Sequence, residues 1–204
     1  REFRRLDGTL NLDLKSQRAV HAIAGLDYQF EGWGRPFRLF AEAYYKHMDN
    51  LIPFEMQNIR LRYYPDLQAE GYAYGLDARV HGQFIKGVDS WVSFNLLRTS
   101  ENIAGDSITV DNGERQAVGF IPRPTDQRLA VSVFFQDELP LNPTYKVHLN
   151  YVYNSGIRFG PPETFDLRTA FGMPSYQRMD VGFSKIFVVN GTGGQRGIES
   201  IWTT

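Results

Sequence analysis

The residues best placed to do chemistry in this chain sit two apart in one stretch. They are Asp77, Arg79 and His81, within EGYAYGLDARVHGQFI (Glu70–Ile85). An acid, a cation and an imidazole on one side of the backbone are ingredients of acid–base catalysis, yet no nucleophile stands beside a base here. The four histidines, His21, His47, His81 and His148, fall on separate segments without the short spacing that holds a metal ion. The chain has no cysteine, which excludes thiol catalysis, disulfides and cysteine-bound metals. NGTGGQRG (Asn190–Gly197) is glycine-rich but lacks the spacing and the following helix of a phosphate-cradling loop. A turn is expected there, and its Asn190-Gly191-Thr192 sequon is taken as accidental. No catalytic residue, metal ligand or cofactor is expected, and the chain reads as a non-enzyme.

What positions Asp77, Arg79 and His81 is a strict alternation. Tyr72, Tyr74, Leu76, Ala78, Val80, Gly82 and Phe84 are apolar or small, and the residues between them are small, polar or charged. Period two is the signature of a β-strand, because successive side chains point to opposite faces. The stretch is far longer than the usual strand of about 5–6 residues. Charge of both signs on one face and none on the other is how a strand looks between lipid and water.

The same pattern recurs along the chain. Arg1–Ser16 shows no sustained period and reads as loop. Val20 to Phe30 alternate against His21, Gly25, Asp27 and Gln29, then turn through EGWGRP (Glu31–Pro36). Phe37, Leu39, Ala41, Ala43 and Tyr45 return, opposite Arg38, Glu42, Tyr44 and Lys46. A long connection, His47–Ala69, carries a short alternating piece at Asn58–Tyr64. After the turn at Lys86–Gly87, Val88–Thr99 alternates again, with Trp91 as an exception on the polar side. The connection Ser100–Pro124 leads to Leu129, Val131, Val133 and Phe135, and LPLNP (Leu139–Pro143) turns into Tyr145–Asn154. The connection Ser155–Pro174 precedes a strand with Met179, Val181, Phe183 and Phe187 opposite Arg178, Asp180 and Ser184. The turn Asn190–Gly197 comes next, and Ile198–Thr204 reads as an eighth strand cut off soon after it starts.

Short and long connections therefore take turns. Soluble β-sandwiches turn every 8–12 residues or about that, without such an order. Outer-membrane barrels have brief turns at one end and long loops at the other. Aromatics gather near the short turns (Phe30, Phe37, Phe84, Trp91, Phe135, Tyr145) and near the long connections (Tyr45, Tyr72, Tyr74, Tyr151, Tyr153), as at two membrane interfaces. The expected fold is all-β, an antiparallel up-and-down transmembrane β-barrel segment of seven to eight long strands.

Composition agrees. In 204 residues, 22 basic and 23 acidic side chains leave a net charge of −1, so nothing suggests nucleic acid as a partner. Mean hydropathy is −0.37, and no apolar run reaches the roughly 18 residues of a membrane helix, which excludes a helical membrane protein but not a barrel. The chain opens at Arg1 without an initiator Met or a secretory signal. Seven strands and a stub would leave open edges, so the expectation is an internal piece of a larger barrel.

AEGYAYGLD (Ala69–Asp77), IPRPTDQR (Ile121–Arg128), YKVHLNYVY (Tyr145–Tyr153) and YQRMDVGFSK (Tyr176–Lys185) together resemble the C-terminal barrel half of TonB-dependent receptors, in the form seen in Bacteroidetes. WGRPF and AEAYYKHMDNLIP are similar to the same family. The resemblance spans Gln17–Lys185 and implies a 22-stranded barrel filled by an N-terminal plug domain. On that basis residues 1–204 are a partial receptor barrel domain, without the plug and the final strands. The implied role is active uptake, at the bacterial outer membrane, of a scarce ligand: siderophore, vitamin, glycan or peptide. The implied partners are outer-membrane lipid, the chain's own plug, the TonB complex through the missing part, and the transported ligand. Arg38, Glu42, Asp77, Arg79, His81, Arg128, Arg178 and Asp180 are the candidate lumen- and plug-facing residues. Phe54, Met56, Tyr63 and Tyr64 are candidates for an extracellular ligand surface, against the plainer expectation that they pack their own loop. Two other classes stay open: a soluble β-rich module of carbohydrate-binding kind, and a barrel enzyme.

Overall fold

The computed structural model describes residues 4–5, 7–57, 60–109, 113–139, 142–161, 167–191 and 194–203. Its elements are strands: β1 Arg18–Gly32, β2 Arg35–Leu51, β3 Phe54–Gln57, β4 Arg60–Tyr63, β5 Ala69–Ile85, β6 Val88–Ile103, β7 Ser107–Thr109, β8 Arg115–Ala117 and β9 Ile121–Pro122. β10 Leu129–Leu139, β11 Asn142–Asn154, β12 Arg158–Phe159, β13 Phe171–Gly172, β14 Tyr176–Gly191 and β15 Gly194–Thr203 complete them. Among the described residues there is no α-helix. One antiparallel sheet runs β1-β2-β5-β6-β10-β11-β14-β15, with β9 added beside β6. The path does not close on itself, which leaves β1 and β15 at its edges.

The alternation seen in sequence becomes two chemically distinct faces, because cross-strand partners share a face. One row joins Tyr28, Leu39, Val80, Val92, Val133, Tyr151 and Met179. The next row, on the opposite face, joins Asp27, Phe40, Arg79, Ser93, Ser132, Val152 and Arg178. Among the described residues no second layer packs over the middle of the apolar face. Leu26, Tyr45, Tyr74, Leu76, Phe94, Leu96 and Phe183 are all exposed, and Met179 keeps 65% of its surface open.

The buried apolar cluster lies elsewhere. Met48, Leu51, Ala69 and Ile103 pack together where β2, β5 and β6 run on beyond Tyr45 and Tyr74, with Leu67 and Ala73 against them. Met48, Ala69 and Ile103 have the parity of the charged residues. The charged face thus becomes apolar at this end, where the long connections fold over it.

Several expectations are corrected. The piece at Asn58–Tyr64 supplies β4, the second strand of a small hairpin whose first strand is β3, with Asn58 and Ile59 outside the described residues. β2 and β6 extend to Leu51 and Ile103, well into what read as loops. The reason is pairing: the end of β2 pairs with the starts of β1 and β5, and the end of β6 pairs with the start of β5 and with β9. Asn190–Gly197 is mostly strand. β14 and β15 stay paired as far as Gly191 and Gly194, and the eighth strand is 10 residues long rather than a stub. Glycines there made the stretch look like a turn, but a glycine can also sit in a ladder. In the first hairpin the turn narrows to Trp33–Gly34, with φ of 55° and 69°, the positive values that a type I′ turn requires. Of LPLNP, Pro140 and Leu141 lie outside the described residues, as does most of GPPETF.

Candidate functional site: the polar face and its loop end

The register of β2, β5 and β6 brings five of the expected residues to one concavity of about 630 Å³. Arg38, Glu42, Asp77, Arg79 and His81 line it, with Phe40, Trp91, Ser93, Asn95, Ser132 and Asn154. Three of them, Arg38, Asp77 and Arg79, are held by neighbouring side chains. Arg38 Nε donates to Asp27 Oδ1 at 2.8 Å, and Asn95 Nδ2 donates to Asp77. The Arg79 guanidinium lies 5.1 Å from the centre of Trp91, whose ring stacks at 6.0 Å on Phe134 of the next strand.

That stack explains the break in pattern at Trp91. The register sets Trp91 between His81 and Phe134 on the polar face, so two aromatics and a cation cover one another there. Because Asp77 is bound by Asn95 and Arg79 lies on Trp91, the triplet Asp77, Arg79, His81 is a wall built by its neighbours. Among the described residues no group of three acidic, His or Cys side chains is placed to hold a metal ion.

Arg178 and Asp180 share this face but sit farther along the sheet, where Arg178 Nε meets Asp180 Oδ1 at 2.9 Å. Arg128 stands apart from the concavity. It precedes β10 and is drawn to Asp126, which is fully buried and also accepts the Thr99 amide at 2.8 Å.

Sequence reasoning missed the buried ion cluster at the loop end. Glu101, on β6, is fully buried. Its carboxylate takes Arg123 Nε at 3.0 Å and lies 3.9 Å from Arg168 Nε. Arg168 also reaches Asp106 at 3.6 Å. The cluster ties strand β6 to two of the three long connections. Burial pushes the Glu101 carboxyl up, against the pull of Arg123 and Arg168. The signal available in sequence was the run of charges framed by prolines in IPRPTDQR, which carries no period and so shows no face.

Phe54, Met56, Tyr63 and Tyr64 sit together in and beside the β3–β4 hairpin, all half-buried. Phe54 packs on Tyr63 with centroids 5.9 Å apart, and the Arg123 guanidinium lies 5.5 Å from the Phe54 ring. Tyr64 Oη donates to the buried Glu55 carboxylate at 2.6 Å, and burial followed by that carboxylate raises the tyrosine's pKa. These aromatics are thus partly spent on packing the loop. Comparison with protein-family models, with curated proteins and with solved structures finds no match to this chain.

Proposed function

We propose that this chain is a section of the wall of a transmembrane β-barrel, part of a TonB-dependent receptor of the bacterial outer membrane that takes up a scarce ligand such as a siderophore, vitamin, glycan or peptide. The observation that carries the barrel reading is where hydrophobic burial occurs. In water a broad apolar sheet face needs a second layer to cover it. Here the buried apolar cluster lies beyond the tyrosines at the loop end and Phe37 and Val88 are buried at the short-turn end, while between them Leu26, Leu76, Phe94, Leu96, Met179 and Phe183 stay exposed. A bilayer supplies that cover. Between Phe37 and Tyr45 on β2, and between Tyr74 and Phe84 on β5, the apolar ladder has about the 9–11 residues that a tilted strand needs to cross.

The two ends of the band are marked by ring clusters. Phe30, Phe37 and Phe84 meet at the short-turn end, with centroids 5.5 and 5.2 Å apart. Tyr72, Tyr74 and Phe120 meet at the loop end, 6.0 and 5.1 Å apart. Lipid tolerates no open sheet edge, so β1 and β15 call for further strands. The receptor assignment rests on the motif resemblance. Within it, Arg38, Glu42, Asp77, Arg79, His81, Arg178 and Asp180 face the plug, whose contacts must hold and yet release, as screened charge pairs allow. The loop end, with Phe54, Met56, Tyr63 and Tyr64, faces the ligand.

These 204 residues contain no cysteine, so a direct test is simple once any cysteine elsewhere in the receptor is replaced. Single-cysteine variants Val80→Cys and Leu149→Cys, in outer-membrane vesicles, should resist a membrane-impermeant maleimide until detergent is added. Arg79→Cys and His148→Cys should react without detergent. Equal reaction at both pairs would overturn the lipid-facing assignment and bring forward the soluble binding module.

A further inference from the structure

The tip of the first hairpin breaks a local rule. Trp33 has φ of 55°, in the left-handed region where a side chain crowds the following carbonyl oxygen, and type I′ turns favour Asn, Asp or Gly at that position. Its ring does little for the hairpin in return. It is 78% exposed and touches the edge of Phe37, with centroids 5.6 Å apart. Beside it, Arg35 donates to the carbonyl oxygens of Gln83 and Phe84 at 3.2 and 2.8 Å, which fastens this turn to the next one. That next turn presents Ile85, 41% exposed, and an exposed Lys86. An indole, an aliphatic chain and an ammonium group therefore form one tip, continuous with the apolar face through Phe37 and Phe84.

Indole prefers the boundary where its ring lies among acyl chains and its N–H reaches polar groups, and lysine there meets lipid phosphate. We infer that Trp33 is an anchor seated in the headgroup layer of a phospholipid bilayer, setting the depth of the β1–β2 hairpin. The inference rests on the lipid-facing reading above. Phospholipid is the occupant because the tip continues the apolar band and adds a cation that complements phosphate.

The test uses the complete barrel that carries this chain, in phosphatidylcholine–phosphatidylglycerol vesicles. Every tryptophan but Trp33 is changed to Phe, Trp91 and Trp202 included, and Val80→Cys labelling is read in the same vesicles. Trp33 should emit to the blue, resist acrylamide, and be quenched more by bromines near the headgroup than by deep ones. If Val80→Cys is protected while acrylamide reaches Trp33, the anchor is overturned and the lipid-facing reading stands. If both sites are open, both fall. Shielding from acrylamide without bromine quenching would indicate a protein contact and also overturn the anchor. In the otherwise native chain, Trp33→Gly should reduce the fraction inserted into vesicles while leaving the unfolding midpoint in micelles unchanged or higher. A lower midpoint with unchanged insertion would make the ring a packing residue of the hairpin and overturn the inference.

Discussion

A carboxylate withdrawn from water between two guanidinium groups is a balance of opposing effects, and at Glu101 desolvation outweighs the attraction of Arg123 and Arg168. The sign of its pH dependence follows. A carboxyl whose pKa is raised by folding binds its proton more tightly in the native state than in the unfolded one. Its contribution to stability is therefore complete below the ordinary value of 4.5 and is lost as pH rises through the raised native value. Amide exchange at Thr99 and Arg123, corrected for intrinsic rates, should show protection falling over that window, and Glu101→Gln should flatten the dependence. Protection that rises with pH would mean that the Arg123 pairing dominates. None of this cluster was legible in sequence, since Glu101, Arg123 and Arg168 are far apart in the chain and share no period. The alternating set Arg38, Glu42, Asp77, Arg79 and His81 was legible, because strand parity alone puts those residues on one face.

At the scale of the strand, the two faces of β5 should respond differently to the same insult. Val80→Arg, or Leu149→Arg on β11, should destabilise the assembled protein by about 2–4 kcal/mol if the residue sits near the bilayer midplane. Arg79→Gln removes mainly the contact with Trp91, about 0.5–1 kcal/mol at an exposed site. Urea midpoints in lipid vesicles would separate the two cases, and equal losses on both faces would argue against lipid on either. Strand order, the two-residue turn at Lys86–Gly87 and the long hairpins could be read in advance, because each rests on period two and local turn chemistry. The hairpins inside the long connections could not. The alternation around β4 showed at Asn58–Tyr64, but its four-residue partner β3 carries too short a period to reveal the pairing, and Gly191 and Gly194 looked like punctuation until their pairing placed them in a ladder.

The molecule as a whole has two unfilled requirements, an uncovered apolar face and two unpaired edges. On the barrel reading proposed above, more strands of the same kind would meet the second, and lipid around the resulting barrel would meet the first. On the receptor reading, the coding DNA upstream should specify a signal peptide and a plug domain, and the DNA downstream should specify further strands ending in an aromatic residue. A start codon just before Arg1 with a stop just after Thr204 would count against that reading. The ion cluster at the loop end bears on the same scale. It binds two long connections to β6, so the mouth of the sheet is a braced structure, while the charged wall below it stays open to an occupant.

The sequence by itself determined the all-β class, the parity of each long strand and the alternation of short and long connections. Those properties are local, since a side chain's face depends on its own position in an extended backbone. Only the tertiary structure decided that no second layer of the described residues lies over the apolar face, that Trp91 is matched by Phe134, and that the charged face turns into an apolar core and a buried ion cluster beyond the tyrosines. These depend on which strands lie side by side and where the loops fold back, and long-range pairing leaves no period in one chain to reveal it.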